Sequence, residues 1–185
     1  MRTLATFVLI LSVATPVPAQ QTLTSPYRER QTSEIRGLSQ KEVEDLREGR
    51  GMGLARAAEL NGYPGPRHLL DAVEAGRMHL TAEQFQAVKQ LFNQMSAQAR
   101  GLGGKILREE QALEAAFRQG SIIEPELQRR AAQIGQLQAE LRLVHLRTHL
   151  ETKKLLTAHQ IERYNQLRGY GHGSGSQGDQ HPGRH

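Results

Sequence analysis

The amino-acid sequence predicts an all-α protein: a long antiparallel helical hairpin with short flanking helices. Apolar residues recur in steps of three and four from Phe85 to Ala116, and a second such run follows Pro125. The chain has no cysteine and no tryptophan, and aromatic residues make up only 4% of it. Neither disulfides nor thiolate-bound metal can therefore hold the fold, and its helices must pack through Leu, Ile, Ala and Met.

The N-terminus reads as a secretory signal: a basic start at Arg2, an apolar stretch from Leu4 to Ala14, and Thr15-Pro16-Val17-Pro18-Ala19 as a small-residue cleavage site. Cleavage after Ala19 is expected to leave about 166 of the 185 residues, enough for one soluble domain with loose ends. No later segment has the eighteen or so consecutive apolar residues that a transmembrane helix needs. The formal charge of +5 is spread along the chain among interspersed glutamates, a charge-mixed helical surface. No aromatic platform accompanies the basic residues, and nucleic acid is not an expected partner.

Gln20 to Arg36 is polar and lacks a helical period, so it is expected to be a flexible arm before a helical domain over 37–170. Ser39-Gln40-Lys41-Glu42 forms a capping box that opens a short helix ending at Gly49. Gly51-Met52-Gly53 leads to a second short helix from Leu54 to Leu60, closed by the turn-forming Asn61-Gly62-Tyr63-Pro64-Gly65-Pro66. A third, from about Arg67 to Ala75, carries Leu69, Leu70 and Val73 on one side.

Thr81 and Gln84, within Leu80-Thr81-Ala82-Glu83-Gln84, have capping-box spacing. The pattern Phe85, Val88, Phe92, Met95, Ala99, Leu102, Ile106, Leu113 and Ala116 then predicts one helix of almost forty residues, roughly 55 Å at 1.5 Å per residue. Glu109 falls on the seam and is expected to face a partner or water. Gly101, Gly103 and Gly104 each weaken a helix by roughly 1 kcal/mol relative to Ala, so they mark a close helix approach or a bend, and a bend is the expectation.

Gly120 ends this helix, and Glu124-Pro125-Glu126 opens the next, with Pro125 placed where its missing N–H does no harm. Leu127, Ala131, Ile134, Leu137, Leu141 and Val144 make its first apolar face. Ala132, Ala139, Leu143, Leu146 and Leu150 make a second, nearly opposite. Two apolar faces need two partners: the preceding helix, and either the short N-terminal helices or a second copy. Leu156-Thr157-Ala158-His159-Gln160 repeats the earlier pentapeptide and opens a last helix through Ile161, Tyr164 and Leu167. The Gly, Ser, His and Gln of 171–185 are expected to be disordered.

The paired Leu-Thr-x-x-Gln motifs (Leu80, Thr81, Gln84 and Leu156, Thr157, Gln160), each opening a helix behind a signal sequence, resemble the Spy/CpxP family of periplasmic stress proteins and its heavy-metal-resistance and metal-sensor relatives. The resemblance runs from about Ser39 to Tyr170. It implies a curved antiparallel homodimer in the periplasm. Such a protein binds unfolded envelope proteins without ATP, or works with a membrane-bound stress or metal signalling protein. Leu143, Leu146 and Leu150 are the expected dimer or client face. The motif residues themselves have a mainly structural task, capping and hairpin closure.

His145 and His149, four apart on one helix, can share a divalent ion. They are placed on a half-exposed flank between the two apolar faces, with Glu109, Glu151, a neighbouring histidine or a dimer mate as the candidate source of a third ligand. No cofactor is required, but Zn, Ni, Co or Cu would suit imidazole, and the metal-binding branch of the family uses helical His with His or Met. Met52 and Met95 are assigned to core packing, and the tail histidines His172, His181 and His185 to weak metal capture.

No catalytic pattern emerges. The chain lacks a cysteine nucleophile, a Gly-x-Ser-x-Gly elbow and a His-Glu-x-x-His motif. Gly101-Leu102-Gly103-Gly104-Lys105 lacks both the spacing of a phosphate loop and a preceding strand. The expected function is an ATP-independent chaperone or stress adaptor, with a metal sensor or resistance protein, or a purely structural dimer, as alternatives.

Overall fold

The computed structural model describes residues 24–170; the signal sequence expected at 1–19 and the tail at 171–185 lie outside them. The described chain is all-helical. A short 3-10 helix, Arg28–Thr32, precedes α1 (Gln40–Glu48), α2 (Arg56–Glu59), α3 (Pro66–Glu74), α4 (Ala82–Arg118), α5 (Glu124–Lys154) and α6 (Ala158–Leu167). None of these is long and apolar enough to cross a membrane.

Local chemistry sets the boundaries. Ser39 and Glu42 form a reciprocal capping box at the start of α1, and Gly49 ends that helix in the left-handed conformation. Gly65 caps α3, with Pro66 in its first turn. The connection 119–123 is too short for anything but an antiparallel return, and α4 and α5 share the most extensive contact in the molecule.

Two apolar cores form along this hairpin. In one, Val43 and Leu46 of α1 pack on Ala99, Ile106 and Leu107 of α4 and on Leu137 and Leu141 of α5. In the other, Leu69 and Leu70 of α3 meet Met78, Val88 of α4 and Tyr164 of α6, flanked by Phe85 and Phe92. Full burial of side chains such as Leu69 and Val88 contributes about 1.5–3 kcal/mol each.

Three expectations are revised. The segment read as a flexible arm is docked at its end: Ile35 is 1% exposed, Glu34 binds Arg47 and Gln111, and Arg36 pairs with Glu114. One apolar side chain with its flanking charges suffices to anchor a stretch that has no helical period. The glycines of α4 do not interrupt it; the helix runs unbroken through them, and Gly103 is the point where α1 approaches. A methyl group there would overlap the backbone carbonyl of Leu46, whereas one at Gly101 would meet nothing. Glu109 meets a partner within its own chain: it lies 3.8 Å from the guanidinium of Arg130 across the hairpin, itself bound at 2.7 Å to Glu126.

Candidate functional site: a histidine-lined cavity between the two cores

The Leu-Thr-x-x-Gln motifs meet at the base of the hairpin. Each Thr caps its helix and each Gln side-chain oxygen accepts from its own Thr N–H, at 3.0 Å for Gln84 and 2.9 Å for Gln160. The Gln84 amide also donates to the Leu155 carbonyl at 2.8 Å, and the Gln160 amide to the His79 carbonyl at 3.1 Å. These residues join α4 to α6 and leave no side chain free for chemistry. Leu80 and Leu156 pack half-buried on the second core.

The C-terminal half of the α5 seam turns polar. Ile134, Leu137 and Leu141 are followed on the same buried face by His145, Thr148, His149 and Thr152. His145 and His149 are 3% and 9% exposed, so they do not lie on a half-exposed flank. Eleven residues at 100° each carry the helix from Ile134 to within about 20° of its starting direction, which puts His145 on the seam itself. The two threonines satisfy their hydroxyls on carbonyls one turn back: Thr148 on Val144 at 2.9 Å, Thr152 on Thr148 at 2.7 Å.

Where the two cores separate, a cavity of about 580 Å³ remains. Its walls come from the end of α1 (Glu48–Gly51), the start of α3 (Gly65, Arg67, His68), Phe92, Met95 and Ser96 of α4, and His145 and His149 of α5. His149 Nδ1 is 2.8 Å from the Tyr63 carbonyl. A carbonyl only accepts, so Nδ1 carries a proton, and in the neutral imidazole the lone pair is on Nε2. That lone pair lies beside Gly65, where a side-chain Cβ would come within 3.2 Å of it. His145 Nε2 is buried without a hydrogen-bond partner among the described residues. Burial, and secondarily the neighbouring His149, holds the His145 pKa below its ordinary value, which favours the neutral imidazole.

Behind His149 stands a buried polar network. Glu59 accepts from the Tyr164 hydroxyl at 2.8 Å and from Arg168 at 2.9 Å, and its other oxygen lies 3.8 Å from His149 Nδ1. The Gly65 N–H in turn donates to Tyr164 at 3.1 Å. Burial pushes the Tyr164 phenol well above its ordinary pKa, so it remains a donor. This network ties α2, the turn before α3, α5 and α6 together and fixes the His149 ring.

Neither carboxylate named as a third ligand reaches the cavity. Glu109 is held by Arg130, fifteen residues before His145 on α5 and so about 22 Å away along the helix axis. Glu151 pairs with Lys154 at 2.8 Å on the surface. No three His, Asp or Glu side chains among the described residues converge as a metal site. The structure adds instead Met95 and His68, which share the cavity, and Glu59, Tyr63, Gly65, Tyr164 and Arg168 behind it. Met52, assigned to the core, is 38% exposed and sits at φ 44 between two glycines.

The outer stripe of α5 remains uncovered: Leu143 and Leu150 are 43% and 46% exposed, and Leu146 is half-buried. The hairpin tip adds Phe117 and Ile123, at 55% and 64%. Family models, curated proteins and solved structures yield no match to this chain.

Proposed function

We propose that this chain is an exported, Spy/CpxP-like binding protein that holds unfolded envelope proteins in the periplasm without nucleotide, or passes their presence to a membrane-bound signalling partner. What supports this reading is the surplus apolar surface of α5: Leu143 and Leu150 stay exposed although the short N-terminal helices are already packed on the hairpin. Isolated leucines scattered along one helical face among charges such as Arg142 and Arg147 favour weak contact with many sequences over one tight interface. In the same reading a second copy covers this stripe in a homodimer when no client is present. The test is light scattering of a thermally unfolding client with and without the processed protein. Slower aggregation at near-stoichiometric ratio, unchanged by removing ATP, is expected, and unaltered aggregation of several unrelated clients contradicts the reading.

A second reading, a periplasmic heavy-metal sensor or resistance protein, is favoured by one observation: the unpartnered, buried Nε2 of His145 beside His149 in a shared cavity. Loss of Zn, Ni, Co or Cu binding in the His145→Leu variant supports it. Equal binding by both proteins moves any metal elsewhere.

A further inference from the structure

We infer that the first core carries a recognition groove for an unfolded chain, and that the segment around Ile35 lies in it as a built-in occupant. The groove fits an aliphatic side chain preceded by an acidic residue and followed by a basic one. This site is separate from the exposed stripe of α5, and only the nature of its partner rests on the client-binding reading.

Ile35 is the one buried residue between Thr24 and Gly37. It joins a core whose other buried members, among them Val43 of α1 and Ala99, Ile106 and Leu107 of α4, all belong to helices. The segment is thus held as a bound peptide is, by a single apolar anchor. Specific partners read its flanks. Glu34 accepts from Arg47 of α1 and from Gln111 of α4, each at 2.9 Å. Glu114 of α4 accepts the Arg36 backbone N–H and lies 3.4 Å from the Arg36 guanidinium. Any residue but proline offers that backbone donor, so the groove reads main chain as well as side chain.

The hold is of a strength that a competitor can match. The Glu34 and Arg47 side chains are 61% and 54% exposed, and ion pairs so open to water contribute little and are screened by salt. Burial of one isoleucine is worth roughly 10- to 150-fold in an equilibrium constant. The segment stays docked because its tether to α1 keeps it at an effective concentration on the order of millimolar. An unfolded chain that offers several such triplets can displace it. A cavity of about 240 Å³ beside Ile35, with Leu38, Val43 and Arg47 in its wall, gives room for a larger apolar side chain.

The experiment is an NMR titration of the isotope-labelled, processed full chain with a peptide of residues 31–37, its ends acetylated and amidated. In wild type the groove is filled, and the peptide should bind weakly. Ile35→Asp withdraws the anchor, and binding should tighten by at least about tenfold, the low end of what one buried isoleucine is worth, with shifts centred on Val43 and Leu107. Glu34→Arg/Arg36→Glu changes two exposed positions, leaves Ile35 and the groove walls intact, and should tighten binding roughly two- to tenfold. That variant carries the test alone if circular dichroism finds Ile35→Asp unfolded. The same peptide with Ile35→Asp should bind none of the proteins. Equal affinity for wild type and the folded variants, or no binding to any of them, overturns the groove. Concentration-dependent dimerisation of wild type that Ile35→Asp abolishes, without peptide binding, gives the groove to the arm of a second copy and also overturns the proposal. Peptide binding as expected by a chain that protects no client supports the groove and removes the client-binding reading.

Discussion

Gln84 and Gln160, seventy-six positions apart, pair their side-chain amides face to face, each donating to the other's oxygen at 3.0 Å. Each also closes its own helix cap and reaches the backbone two residues before the other motif's threonine. The repeated pentapeptide is therefore one joint with two halves, locking the start of the hairpin to its return. A capping side chain is worth about 1 kcal/mol by itself.

Removing either half should strip both its cap and its share of the joint. Gln84→Ala and Gln160→Ala are each expected to destabilise by about 1–3 kcal/mol. Their effects should be non-additive by about 0.5–3 kcal/mol in a double-mutant cycle measured by urea unfolding. Simple additivity would mean that the two amides act only as separate caps.

The α4 glycines should respond in opposite directions. Gly101→Ala meets nothing and should stabilise by about 0.5–1 kcal/mol through helix propensity alone. Gly103→Ala drives a methyl into the Leu46 carbonyl and should destabilise by about 1–3 kcal/mol or more as α1 is pushed off. Thermal melts of the two variants check this. Equal stabilisation by both would deny the close approach of α1.

The hairpin and its caps were readable because their causes are local: Ser39 with Glu42, Thr81 with Gln84 and Thr157 with Gln160 are each three residues apart, and the seams repeat at helical spacing. The candidate site was only half readable. The spacing of His145 and His149 showed that they could act together. Their burial depended on how α2, the turn before α3 and α3 itself cover the polar end of the α5 seam. Glu59 and Tyr164 meet across 105 positions, and Tyr63 and His149 across 86, with no pattern in either neighbourhood to announce the pairing. Ile35 was hidden for a related reason: a lone apolar residue among polar ones carries no period.

His145 gives the metal-free protein a defined pH response. Burial, then His149, holds its folded-state pKa below the ordinary 6.5. As pH falls through the ordinary value the unfolded chain takes up a proton that the folded chain refuses, so the unfolded state binds more protons and stability drops. The decline should begin near pH 6.5 and level off once the folded-state value is passed. His145→Leu should remove this component. Chelator-treated protein melted from pH 7.5 to 5 tests it, and identical pH profiles for wild type and variant would contradict it.

The most direct test of the proposed function places the uncovered stripe of α5 against a client. Aggregation of an unfolding client is followed by light scattering with wild-type protein and with the Leu143→Glu/Leu150→Glu variant, both free of nucleotide and both verified as folded. Both positions are more than 40% exposed, so the variant should retain its helical melt. Wild type should slow aggregation at near-stoichiometric ratio and the variant should not. Equal protection by the two proteins, or none by wild type, would contradict a client-binding role for this face.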